Sequence, residues 1–267
     1  MSAPARTPSR SPAASPGTLS VRDLDLGYSS GFRLSGVSFD AAPGDVVGLI
    51  GPTGSGKSTL LKAIAGVLQP RAGTIELGGR PLRTLAARIA FVPQREDVNW
   101  DFPVTARDVV RMGRFRPTGW LRWPGRDDNA RVETALHRLG LGGMSGRHIS
   151  QFSGGQQQQR IFLARAMVQD PLVVLLDEPF TGIDAENREV FHGAIRDFAS
   201  SGAIVLMATH DLDEVAATCS HVGCLNGRLV AYGPTAETFT PAILRATFGG
   251  RVAVFAPGGP AGEHHVG

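Results

Sequence analysis

The 267-residue chain is poor in cysteine, with only Cys219 and Cys224. Two thiols cannot build a disulfide framework and are too few for a zinc site. They fit a reducing compartment, as inert core thiols. Long apolar runs are also missing: none approaches the ~18 residues that a membrane-spanning helix needs. Stretches such as LVVLL, Leu172 to Leu176, have the length of buried strands. The amino-terminal MSAPARTPSRSPAASPG lacks the apolar core of a secretory leader. Charge of one sign is lacking too. There are 27 Lys and Arg against 24 Asp and Glu, scattered rather than clustered, which excludes nucleic acid as the expected partner. The expectation is a chain that is soluble or that sits on a membrane by docking to something else. No internal repeat is present.

Hydrophobic residues make up 42% of the chain, enough for a sizeable core, and 34 glycines favour tight turns and backbone contacts to ligands. From Leu19 to Asp40 a short, roughly alternating pattern predicts edge strands of a small antiparallel sheet. Val46 to Ile50 is a continuous apolar run and predicts a buried parallel strand. A Gly-rich loop follows, then a helical pattern in KSTLLKAIAGVL. Thr74 to Leu77 and Ile89 to Val92 predict further strands. Between Thr105 and Val168 three segments have period 3.6: VTARDVVRMG, NARVETALHRLG and QQQQRIFLARAMV. Strands resume at Leu172 to Leu176 and Ala203 to Met207, separated by a helix near Ala185 to Phe198. Asn226-Gly227, between VGCL and RLVAY, predicts a hairpin. A strand–loop–helix core is thus interrupted by a helical insertion at about 104–168. The ordered domain is expected over 18–256, with disordered tails at 1–17 and 257–267.

Three segments carry the chemistry. Gly51, Pro52, Thr53, Gly54, Ser55, Gly56, Lys57, Ser58 and Thr59 fit G-x-x-x-x-G-K-[ST] after a strand and before a helix. Glycines there let backbone N–H groups close around phosphates, and the helix start adds positive potential. Lys57 can reach terminal phosphates, and the Ser58 hydroxyl can ligate Mg²⁺. In VVLLDEP, Asp177 ends a buried strand and can hold Mg²⁺ through water, while Glu178 can polarise an attacking water. Adjacent carboxylates repel unless a cation or solvent separates them. In FSGGQQQQR, Ser153 is a candidate N-cap, and Gly154 and Gly155 bare backbone N–H groups at a second helix start, a second anion site.

With these motifs in place, the sequence from Leu19 to about Gly250 resembles the ATP-binding subunits of ABC (ATP-binding cassette) transporters. The resemblance implies an α/β fold: a P-loop NTPase (RecA-like) core with an N-terminal antiparallel β subdomain and an inserted α-helical subdomain. It implies ATP and Mg²⁺ as ligands. Tyr28 matches the aromatic that stacks on adenine, and Gly51 to Thr59 the Walker A loop. Gln94 matches the Q-loop glutamine near Mg²⁺ and the attacking water. Ser153, Gly154, Gly155 and Gln156 match the signature sequence. Asp177 and Glu178 match Walker B and the catalytic base. Asp184 is the acid of the D-loop, and His210 matches the switch histidine at the γ-phosphate. Thr53, Phe152 and Thr181 depart from the family's usual residues, but none removes a phosphate or metal ligand.

Two further patterns, VNWDFPVTARDVVRMGRF and TGWLRWPGRDD, look like the ATPases of manganese, zinc and iron importers. In such a protein Trp100, Asp101 and Phe102, just past the Q-loop, would dock on a membrane subunit, since aromatics favour protein anchoring. The resemblance then implies a homodimer of ATP-binding subunits on the cytoplasmic face of the cell membrane, peripheral through integral permease subunits. An extracytoplasmic metal-binding protein would take part indirectly. The alternatives are the ATPase of a siderophore or cobalamin importer and a soluble, non-transport ABC ATPase. The single cassette and the lack of a long heptad run count against the latter. A GTPase is disfavoured because no Asn-Lys-x-Asp motif occurs.

Overall fold

The computed structural model describes residues 17–28, 31–94, 102–118, 125–152 and 155–249. The expected tails lie outside these, apart from Gly17. Ten strands are present among them: β1 (Leu19–Gly27), β2 (Arg33–Ala41), β3 (Val46–Ile50), β4 (Ala72–Leu77), β5 (Arg80–Pro81), β6 (Ile89–Val92), β7 (Val173–Asp177), β8 (Ile204–Ala208), β9 (His221–Leu225) and β10 (Leu229–Pro234). The helices are α1 (Lys57–Ile64), α2 (Ala106–Thr118), α3 (Arg126–Arg138), α4 (Gly155–Met167), α5 (Ala185–Ser200), α6 (Leu212–Thr218), α7 (Thr235–Thr238) and α8 (Pro241–Phe248).

The strands divide into two sheets. A six-stranded sheet has the order β10-β9-β3-β8-β7-β6, parallel from β9 to β6 and closed by the antiparallel β9–β10 hairpin. A four-stranded antiparallel sheet has the order β2-β1-β4-β5. The expected hairpin at Asn226-Gly227 is that of β9 and β10. β4 and β6, close in sequence, belong to different sheets. A 3₁₀ stretch, Leu82–Arg88, carries the chain between them.

Alternation of side chains explains the continuous apolar runs of the central strands. Successive residues of a strand point to opposite faces. Val47, Leu49, Val173 and Leu175 face one core with α1 and the antiparallel sheet. Val46, Ile50, Val174 and Leu176 face a second core with α2, α3, α4 and α5. Both faces of the six-stranded sheet are therefore covered, which is why β3, β7 and β8 carry no polar residue before Asp177. Each fully buried Val or Leu contributes about 1.5–3 kcal/mol. Tyr232 of β10 joins the sheets. Its hydroxyl donates to the Asp40 carbonyl at 2.6 Å and its ring lies 5.1 Å from that of Phe39.

The inserted helices pack mainly on each other. Thr105 and Asp108 form a reciprocal cap at the start of α2. The Thr105 N–H donates to Asp108 Oδ2 at 3.1 Å and the Asp108 N–H to Thr105 Oγ1 at 3.2 Å. The Thr105 hydroxyl also donates to Asp108 Oδ2, and this bond, with the one from the Thr105 N–H, holds the Asp108 carboxyl below the usual carboxylate range. Gly113 lets α2 approach α4, because a Cβ there would fall 2.5 Å from the Arg165 carbonyl oxygen.

Candidate functional site

The parallel strands order the site. In an open α/β sheet, ligand groups gather beyond the carboxyl ends of the strands. Gly51 follows β3, Gln94 follows β6, Asp177 ends β7 with Glu178 just beyond it, and His210 follows β8. Since β3, β8, β7 and β6 are consecutive neighbours, segments spread over about 160 positions of sequence come to one edge.

The loop after β3 is shaped by glycine. Gly51 has φ 151°, and a Cβ there would lie 2.0 Å from the Leu225 carbonyl oxygen. Gly56, at φ 108°, caps α1. Thr53 and Gly54 form the exposed tip, with Pro52 partly buried. The first turn of α1, which includes Thr59, carries no acidic residue, so its N–H groups keep their positive potential. Lys57 Nζ donates across the loop to the carbonyls of Gly51 at 2.8 Å and Pro52 at 3.3 Å. Burial pulls its ammonium below the ordinary lysine range, against the opposing pull of Glu178 and Asp177. Ser55 Oγ is buried in this loop without a hydrogen-bond partner among the described residues.

Ser58 Oγ donates to Asp177 Oδ1 at 2.9 Å, and Asp177 is 1% exposed. No group of three or more His, Cys, Asp or Glu able to hold a metal occurs among the described residues. The hydroxyl–carboxylate pair instead fits Mg²⁺, which keeps waters and leans on one or two protein oxygens plus substrate phosphates.

Glu178 adopts φ 51°, the left-handed region that costs a non-glycine residue roughly 1–2 kcal/mol. Four bonds hold it. Its N–H donates to the Ala208 carbonyl at 2.9 Å. Its own carbonyl accepts from the Thr181 N–H at 3.3 Å and from Gln159 Nε2 at 3.2 Å. Its carboxylate accepts from Thr181 Oγ1 at 3.3 Å. In this conformation Oε2 lies 2.8 Å from His210 Nδ1. An acid–base pair therefore stands beside the phosphate-type cradle.

The remaining candidates are placed as follows. Gln94 is partly buried, two residues past β6. Asp184 caps α5, accepting from the Asn187 N–H at 2.9 Å and from Asn187 Nδ2 at 2.7 Å. Asn187 Oδ1 accepts in turn from Arg160 of α4. Tyr28 follows β1, 40% exposed, with its ring 6.2 Å from that of Phe32. Phe102 is 56% exposed. Gly155 opens α4. Trp100, Asp101, Ser153, Gly154 and the Gln156 side chain lie outside the described residues. Sequence reasoning missed Gln159, Arg160 and Phe32. The first two sit in a polar helical run with nothing to single them out. The Phe32 ring lies 3.1 Å from where a Cβ on Gly56 would be, beside the loop.

A family model described as ABC transporter matches residues 34–181. The manganese transport system ATP-binding protein MntB of Halalkalibacterium halodurans is 39% identical over 235 residues, 88% of this chain and 93% of that protein. The zinc transport system ATP-binding protein TroB of Treponema pallidum is 41% identical, covering 87% of each chain. The chelated iron transport system membrane protein YfeB of Yersinia pestis is 40% identical, covering 87% of this chain and 79% of that one. Among solved structures, an inward-facing ABC transporter described as of the metal-chelate type superposes with a TM-score of 0.75. It is 29% identical and covers 87% of this chain and 89% of its own. An ATP-binding subunit of an ABC transporter superposes with a TM-score of 0.72 at 26% identity, covering 88% and 95%. No helix among the described residues is long and apolar enough to cross a membrane. A glycine cradle ahead of a helix, a buried acid at the end of β7 and similarity along nearly the whole described chain converge: this protein belongs to the ABC transporter family, as one of its ATP-binding, ATP-hydrolysing subunits.

Proposed function

We propose that this ATPase drives import of a divalent transition metal, manganese, zinc or iron, through separate integral permease subunits. The observation that carries the proposal is the roughly 40% identity, over most of the chain, to ATP-binding proteins named for manganese and zinc transport and to a protein named for chelated iron transport. The protein would lie at the cytoplasmic face, held peripherally by the permease, with an extracytoplasmic metal-binding protein delivering cargo.

In this reading the unit over 18–256 works as a homodimer. The cradle Gly51 to Thr59 holds the phosphates of ATP, and Tyr28 stacks on the adenine. Ser153, Gly154, Gly155 and Gln156 of the second copy close over the same nucleotide. Ser58 and Asp177 hold Mg²⁺, Asp177 through water, with Gln94 nearby; the ion when bound neutralises phosphate charge. Glu178 orients the attacking water and accepts its proton, and His210 touches the γ-phosphate. Lys57 stabilises charge on the transferred group. Asp184 carries the response across the dimer. Contacts made by the γ-phosphate and lost with it make the closed dimer a switch.

For the permease, a groove of about 360 Å³ lies between the end of β6 and the helices α2 and α4, lined by Phe91, Pro93, Met112, Gly113, Phe162 and Arg165. Trp100, Asp101 and Phe102 would dock on the permease as well. The deciding experiment reconstitutes the subunit with its permease and binding protein in proteoliposomes. ATP-dependent uptake is measured for Mn²⁺, Zn²⁺, Fe²⁺, a ferric siderophore and cobalamin. Uptake of a free divalent ion supports the proposal. Uptake confined to a chelate or cobalamin, or ATPase activity with no permease that binds the subunit, overturns it.

A further inference from the structure

We infer that Gln159, in the second turn of α4, is a positioning residue for hydrolysis, holding the Glu178 peptide in the conformation that aims its carboxylate at His210. The inference rests on the reading of Glu178 as the group that activates water.

The geometry is specific. Gln159 is 5% exposed, and its Nε2 donates to the Glu178 carbonyl at 3.2 Å. That carbonyl belongs to a residue at φ 51°. A non-glycine residue stays in the left-handed region only when its surroundings over-determine it. On its amino side the Glu178 peptide is pinned to β8 by the bond from its N–H to Ala208. On its carboxyl side the backbone offers only the 3.3 Å turn bond from Thr181. The Gln159 amide is therefore the one side-chain donor to that carbonyl given by the described residues. Without it that carbonyl keeps only the longer Thr181 turn bond among the described residues, and relaxation toward ordinary φ swings the Cα–Cβ bond away from His210.

The origin of Gln159 adds meaning to the contact. α4 opens at Gly155, so Gln159 lies one turn into the helix that carries the proposed partner-facing signature. The next residue, Arg160, donates to Asn187, which binds Asp184. Adjacent side chains of α4 thus touch both the water-activating strand end and the first turn of α5, within one copy. Movement of α4 relative to the sheet would act on both.

The test compares steady-state ATP hydrolysis of wild type, Gln159→Met, Gln159→Glu and Glu178→Gln in the full-length protein, with ATP affinity measured by titration and folding by thermal melting. Methionine removes the donor and keeps the length. Glutamate replaces the donor with an acceptor facing a carbonyl. The expected result is an inactive Glu178→Gln. For Gln159→Met, kcat should be about tenfold lower, with KM and ATP affinity within about twofold, as loss of one oriented hydrogen bond acting on the transition state requires. Gln159→Glu should lose more than Gln159→Met. If Gln159→Met does not fold, Gln159→Ala carries the same readout. An unchanged kcat, or a KM rising in step with the fall in kcat, overturns the inference while an inactive Glu178→Gln leaves the role of Glu178 standing. Turnover by Glu178→Gln at the wild-type rate overturns both.

Discussion

His210 Nδ1 and Glu178 Oε2 lie 2.8 Å apart, although 32 residues separate them in the chain. The meeting follows from sheet register. β7 and β8 run parallel with Asp177 opposite Ala208, so the residues just beyond each strand end are neighbours. The pair lies open to solvent on the histidine side, with the His210 side chain 69% exposed and that of Glu178 14% exposed. Its contribution to stability is accordingly small, and its value is geometric.

Substitution of this pair should separate binding from chemistry. Glu178→Gln should bind ATP with near wild-type affinity, lose hydrolysis by about 10²–10⁴-fold and accumulate as a nucleotide-bound dimer. His210→Ala should lower kcat more than it weakens ATP binding. Nucleotide titration with light scattering reads the binding and the dimer, and phosphate release reads turnover.

Lys57→Ala should act differently. Its ammonium is already partly withdrawn from water and held by loop carbonyls, so little is lost from the free protein when it goes. A charge-assisted contact to phosphate is worth about 1.5–3 kcal/mol, so ATP affinity should fall about 10- to 100-fold. An equilibrium titration with a fluorescent nucleotide checks this, and the melting temperature should shift by no more than a few degrees.

Gly113→Ala tests the α2–α4 contact. On propensity alone alanine stabilises a helix by about 0.5–1 kcal/mol over glycine. Here the added Cβ meets the Arg165 carbonyl oxygen at 2.5 Å and Val168 Cγ2 at 2.9 Å. Backbone cannot yield as a side-chain tip can, so the clash wins, with an expected net loss of about 1–3 kcal/mol. Urea unfolding should show the lower midpoint.

Cys219 offers a pH test. Burial, with a smaller push from Glu214, raises its thiol to about 12. The folded pKa lies above the unfolded value near 9, so the native state retains the proton longer. This contribution to stability is complete below about pH 9 and is lost as pH rises toward 12. At pH 8 the native protein should resist alkylation at Cys219, and the label should appear only after denaturant is added, as intact-mass measurement would show.

Much of this molecule was legible locally. The cradle could be read because phosphate binding needs glycine at fixed spacing between a strand and a helix, a requirement confined to nine consecutive residues. β3 and β7 could be read because a strand covered on both faces must be apolar throughout. The 3₁₀ stretch from Leu82 to Arg88 and the helices α6 and α8 were not legible, being short segments whose shape is set by what they pack on.

Sequence alone determined the family and the apolar central strands β3 and β7, since each depends on residue type within short segments. Tertiary structure alone decided that β4 and β6 part into different sheets and that Glu178 sits in a left-handed conformation. It alone placed Gln159 of a distant helix on the carbonyl of that glutamate. These depend on strand order and on the approach of segments far apart in the chain, and no local pattern of side chains encodes either.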